Sequence, residues 1–132
     1  MAALHFEFVS PESVLFSGDV DQVDLPGSEG DMGILPGHAP LVTTLRPGIV
    51  TIFRGGQREP VVVIGGFAEM SPAGLTVLAD QAVARSDFDM ALLATKIKDA
   101  EEDVADCTED AERDRLARHL DQLKVLQTAL SS

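Results

Sequence analysis

Residues 27–48 read GSEGDMGILPGHAPLVTTLRPG, a stretch crowded with glycine, three prolines, two acids and one histidine. Each glycine widens and each proline narrows the path open to the main chain, so this composition predicts a shaped loop rather than an ordinary strand or helix. Val, Ile and Leu-rich segments flank it on both sides. The loop is therefore expected to be displayed from a β framework, as recognition surfaces commonly are.

Working outward, the first 85 residues read as strands. Leu4, Phe6 and Phe8 alternate with His5, Glu7 and Val9, the period of two of a strand with one buried face. A turn follows at Ser10–Glu12, then two short strands, Val14 to Phe16 and Val20 to Leu25, with Gly18 between them. Beyond the glycine-rich stretch come Leu41–Leu45, Gly48–Phe53, Val61–Ile64, Phe67–Met70 and Leu75–Leu78, separated by turns at Gly55–Gly56 and Pro72–Gly74. Short strands at this spacing predict a two-sheet antiparallel sandwich. The block Val61–Ile64 is apolar without alternation, so it is expected to be covered on both faces.

The remaining residues, 86–132, read as two helices. Ser86, followed by Asp87 and Asp89, predicts a capped helix start. Phe88, Leu92, Leu93, Ile97, Ala100 and Val104 then recur at steps that place them in one stripe. A break at Asp106–Thr108 precedes a second stripe, Leu116, Leu120, Leu123, Leu126 and Leu130. The two stripes predict an antiparallel hairpin with little apolar surface to spare, so its attachment through Ala79–Arg85 is expected to be changeable. The fold class is mainly β plus α, an amino-terminal sandwich over 1–85 and a carboxy-terminal two-helix hairpin over 86–132.

Composition narrows the function. The net charge of −12 is shared evenly, −6 over residues 1–85 and −6 over 86–132, which argues against nucleic acid or an anionic lipid surface as direct partner. The longest apolar block is far too short to span a bilayer, and MAALHFEFVS has neither the basic n-region nor the apolar run of an export signal. Cys107 stands alone, which excludes an internal disulfide and fits a small half-buried residue at a helix turn. His5, His38 and His119 are scattered without metal-ligand spacing, so no metal is expected. Glu29 and Asp31 stand where a phosphate loop would need positive charge, and no serine has a nucleophile-elbow setting. The residues predict a non-catalytic protein-binding chain without cofactor.

One family carries these features together. FSGDVDQVDLPG, the GSEG, GHAPL and PG elements of the opening stretch, and GGFAEMSPAGLTVLADQA resemble the epsilon subunit of bacterial F-type ATP synthases, in order and over essentially the whole chain. The resemblance implies a rotor subunit of the central stalk that couples proton flow to ATP synthesis, held at the cytoplasmic face of the bacterial inner membrane without entering it. It implies that Glu29, Gly30 and Asp31 meet the c-subunit ring, and that Ser10, His38, Ala39, Leu41 and Val42 meet gamma. For Asp31 the alternative is a plain turn residue. In this family the hairpin can also extend along gamma and restrain ATP hydrolysis; Arg113, Arg115, Arg118 and Lys124 are the basic side chains that would then meet the alpha and beta catalytic subunits. Those residues sit in a segment of net charge −6, which weakens that role. A nucleotide-sensing regulatory module is the other reading the resemblance allows. The nucleotide-binding pattern needs an arginine where this chain has Leu92, which removes the phosphate partner. A free-standing hydrolase is a third reading and lacks a nucleophile.

Overall fold

In the computed structural model the described residues are 3–131; Met1, Ala2 and Ser132, at the outer ends of the two expected parts, lie outside them. Ten strands run β1 (Leu4–Val9), β2 (Val14–Val20), β3 (Gln22–Gly27), β4 (Gly30–Ile34), β5 (Leu41–Thr44), β6 (Gly48–Arg54), β7 (Gln57–Val63), β8 (Gly66–Ser71), β9 (Gly74–Ala79) and β10 (Ala82–Ala84). Two helices follow, α1 (Met90–Asp106) and α2 (Asp110–Ser131). The strands form two five-stranded sheets, ordered β2-β1-β9-β8-β5 and β10-β7-β6-β3-β4. All ladders are antiparallel except β1 with β9.

Alternation places Leu4, Phe6 and Phe8 of β1 between the sheets, where they pack with Val23, Leu25, Val50, Ile52, Leu75 and Val77. These side chains are essentially removed from water, each stabilising the sandwich by roughly 1.5–3 kcal/mol. In β7 the unbroken apolar run does face both ways. Val63 enters the sandwich core, whereas Val62 points outward into a second cluster with Leu93, Ile97, Ala100, Leu123, Leu126 and Leu130 of the helices. Ile49 and Ile64 complete the floor on which the hairpin sits.

Four expectations are corrected. Residues 27–48 are not one long loop: besides the expected strand at Leu41, which is β5, the chain makes β4 within them; Met32 and Ile34 pair with Leu25 and Val23, and backbone pairing outweighs the low strand propensity of glycine. Gly18 does not separate two strands but lies inside β2, paired with Phe6, and the chain changes sheet at Asp21. The first helix does not start at Ser86, which lies in a single 3-10 turn, Arg85–Asp87. Its N-cap is Asp89, whose carboxylate accepts from the amides of Ala91 (2.9 Å) and Leu92 (3.1 Å), because Phe88 must first run extended to reach the hairpin cluster. Finally, Leu92 does not join the buried stripe; it is 51% exposed.

Candidate interaction surface

The β3–β4 hairpin ends in the corner Gly27-Ser28-Glu29-Gly30, and this corner carries the residues expected at the ring. Gly27 is required there, since a Cβ would stand 2.8 Å from the Gly30 carbonyl oxygen. The Ser28 amide donates to the Thr44 carbonyl (2.9 Å), tying the corner to the end of β5. Glu29, Gly30 and Asp31 are exposed side by side, and the Asp31 side chain is 86% accessible. Arg46, which sequence reasoning passed over, donates from Nε to the Gly27 carbonyl (2.6 Å) and from a terminal nitrogen to the Asp31 carboxylate. Arg46 lies fifteen residues beyond Asp31, so only the sheet crossing could reveal the pair.

The residues expected at gamma lie at the two edges of the β2-β1-β9-β8-β5 sheet, Ser10 beside β2 and the others on or before β5. Ser10 sits at the β1–β2 turn, where its amide donates to the Ser13 carbonyl (2.9 Å). His38 and Ala39 lie in the β4–β5 connection, with His38 Nδ1 donating to the Ala39 carbonyl (2.7 Å). Val42 points outward and is 71% exposed, whereas Leu41, its neighbour on the strand, turns inward to pack on the sandwich core. Those five residues do not form one cluster. What connects them is a row that the registers bring into line, Val14, Val9, Leu78, Phe67 and Thr44, one residue from each strand. Val14 and Phe67 in that row are exposed, at 65% and 41%. Strand alternation is the signal the sequence offers for it, since inward Ala68 and Met70 leave Phe67 to face out.

A polar row runs beside the apolar one. His5 Nε2 bonds the Glu7 carboxylate (2.8 Å), its Nδ1 lies 3.4 Å from Asp19, and Ser17 donates to Glu7 (2.8 Å). The bond to Glu7, then that to Asp19, raises the His5 pKa above its ordinary 6.5; the bonds from Ser17 and His5 lower that of Glu7 below 4.5. His5 therefore adds stability that is complete below pH 6.5 and is lost as pH rises through its folded value. Glu7 adds stability that is present above pH 4.5 and is lost as pH falls through its own folded value. Both act between 4.5 and 6.5. His5→Gln is expected to lower the thermal midpoint at about pH 5.5 more than at about pH 8, by a small amount that fades in high salt because the groups face water. Equal lowering at both values would show that His5 contributes by packing alone.

The basic residues of α2 are differently placed. Arg113 is engaged by the Cys107 carbonyl and Asp110, and Arg115 by Glu112, whose carboxyl it holds below the usual range. Arg118 and Lys124 are exposed, and Lys124 lines a groove between α2 and the sheet together with Asp121, Asp24 and Arg46. A smaller cavity of about 270 Å³ lies between β10 and the start of α1, lined by Val62, Ile64, Val83, Phe88 and Leu92, with Lys96, Asp87 and Asp89 also on its wall. Its charge sums to −1, a poor match to a polyphosphate.

Residues 3–85 match the model of the ATP synthase delta/epsilon chain β-sandwich domain. The whole chain is 52% identical to the ATP synthase epsilon chain of Rhodopseudomonas palustris (strain HaA2) and 48% identical to that of Afipia carboxidovorans, covering 97% of each. This chain belongs to the ATP synthase epsilon family. The epsilon chain is a non-catalytic subunit of that complex. The epsilon fold seen here superposes on a chain of the Euglena gracilis mitochondrial ATP synthase OSCP/F1/c-ring assembly with a TM-score of 0.84 at 26% identity, over 98% of this chain and 82% of that one. A chain of the Tetrahymena thermophila central stalk and c-ring assembly shares the fold, with a TM-score of 0.68 at 10% identity, over 97% of this chain and 93% of that one. No helix among the described residues is long and apolar enough to cross a membrane.

Proposed function

We propose that this epsilon chain is a rotor subunit that links gamma to the c-subunit ring and so helps couple proton flow to ATP synthesis, peripherally, at the cytoplasmic face of the bacterial inner membrane. The observation that carries the reading is the exposed corner Glu29-Gly30-Asp31, stitched by the Ser28–Thr44 bond to an edge strand of the sheet that carries the exposed apolar row. Two adhesive surfaces of different chemistry on one rigid sandwich suit a linker. The polar corner would dock on the polar loops of the ring, with Asp31 accepting a charge-assisted hydrogen bond. The row from Val14 to Phe67, flanked by Ser10, His38, Ala39 and Val42, would be covered by gamma, with Leu41 supporting Val42 from the core side. In this reading residues 1–85 form the contact domain and 86–132 a regulatory one.

Asp31→Lys tests the reading. It removes a bond of about 1.5–3 kcal/mol, so binding to the ring is expected to weaken by about tenfold or more and ATP-driven proton pumping to fall. Copurification with gamma should persist, because the apolar row is untouched. Unchanged pumping and ring binding would leave Asp31 a turn residue.

The hairpin supports a weaker regulatory role. Arg113 and Arg115 are already matched by acids of their own helix, which leaves Arg118 and Lys124 as the cations best able to meet an acidic surface of the alpha and beta subunits. Nucleotide sensing is the less favoured alternative, since the cavity at Leu92 is mostly apolar and Asp89 is engaged in capping α1.

A further inference from the structure

The corner that carries Asp31 is not held by its own turn alone. Arg46 lies on the connection where the chain leaves β5 in one sheet and enters β6 in the other. Its amide donates to the Pro26 carbonyl (2.8 Å), its Nε to the Gly27 carbonyl (2.6 Å), and a terminal nitrogen to Oδ1 of Asp31. One residue thus fixes the strand, the corner and the carboxylate of the same hairpin. No hydrogen bond reaches Oδ2 of Asp31 among the described residues, and the side chain is open to solvent. The next residue back, Leu45, bridges to Gly27 and donates its amide to the Gly66 carbonyl (2.9 Å), joining the connection to β8.

We propose that Arg46 is the positioning residue for Asp31. Its planar fork reads the Gly27 carbonyl and one carboxylate oxygen together, which turns the other oxygen outward toward an incoming donor. It also ties the corner to β5 and β8, so a sideways force on Asp31 passes into the sheet that bears the apolar row rather than bending a free two-strand tip. Lysine presents its three donors from one atom on a flexible stem, so it can neutralise Asp31 but cannot hold the carbonyl and the carboxylate from two separately placed nitrogens. The proposal rests on Asp31 meeting the ring, and the ligand chemistry it implies is a single polar donor presented to Oδ2.

A double-mutant cycle on the gamma–epsilon complex binding to purified c ring decides it. Asp31→Ala is expected to weaken binding about tenfold. Arg46→Ala should weaken it about three- to tenfold, Arg46→Lys by less, and the Asp31→Ala, Arg46→Ala double variant no more than Asp31→Ala alone. Thermal melting of each variant checks folding, and Arg46→Lys carries the cycle if Arg46→Ala does not fold. A neutral Arg46→Ala beside a costly Asp31→Ala overturns the positioning role and leaves the ring contact standing. Additive losses overturn it as well, because Arg46 would then touch the ring itself. An Arg46→Lys chain as good as the parent removes the fork. A neutral Asp31→Ala overturns the ring contact and the positioning role together.

Discussion

Leu126→Ala is expected to free the helical hairpin while leaving the sandwich folded. Leu126 is 1% exposed and sits in the small cluster with Val62, Leu93 and Leu123 that joins the helices to the outer face of the sheet. Truncating a fully buried leucine costs about 2–5 kcal/mol. The sandwich has its own, larger core, to which Leu126 does not belong, so the loss falls on the hairpin. Beyond the apolar floor of Val62, Ile49 and Ile64, one polar link at this junction is a long 3.5 Å bond from Arg85 to the Leu130 carbonyl. Hydrogen exchange should show α1 and α2 opening at much lower free energy than β1 and β9 in the variant. Loss of protection spread evenly over strands and helices would show one cooperative unit. If the hairpin restrains hydrolysis when extended, the loosened variant in the assembled complex should also hydrolyse ATP more slowly. Free helices with unchanged hydrolysis would remove the inhibitory role.

Gly66→Ala should produce the second large effect, this time in the sandwich. Gly66 has φ of +128°, a conformation rarely open to residues with a side chain, and a Cβ would stand 2.1 Å from the Leu78 carbonyl oxygen and 2.9 Å from the Ala79 Cα. The obstructing atoms are backbone, so β8 and β9 must separate locally. Backbone strain and overpacking together predict a loss of about 2–6 kcal/mol in urea denaturation. The Gly66 carbonyl also accepts from Leu45, next to Arg46, so the displacement should reach the corner. The Asp31 and Gly27 resonances are expected to shift in the variant. A loss below about 1 kcal/mol with an unchanged corner would show that β8 slides without resistance.

Particular residues show what was legible. The alternation of Leu4, Phe6 and Phe8 identified a half-buried strand because the pleat forces neighbours to opposite faces. The unbroken run at Val61–Ile64 revealed two-sided cover, since both faces of β7 are in fact packed. Helical spacing likewise identified Leu93, Ile97 and Ala100, and Leu123, Leu126 and Leu130, as buried stripes. β4 was hidden, because glycine content signals a loop and cannot report that Leu25 and Val23 lie opposite as partners. β10, three residues long, is too short to show a period.

The candidate surface divides in the same way. Glu29, Gly30 and Asp31 are adjacent in the chain, so the sequence alone grouped them and gave the corner its charge; Ser10, His38 and Val42 could be named individually. By itself the sequence determined the class of the fold, its family and the chemistry of the corner, all of which depend on local pattern and residue type. Only the tertiary structure decided that Arg46 grips Asp31, that Leu41 turns inward while Val42 faces out, and that Val14, Val9, Leu78 and Phe67 form one row. Those facts depend on strand register and sheet order, which bring together residues far apart in the chain, and no local period encodes them.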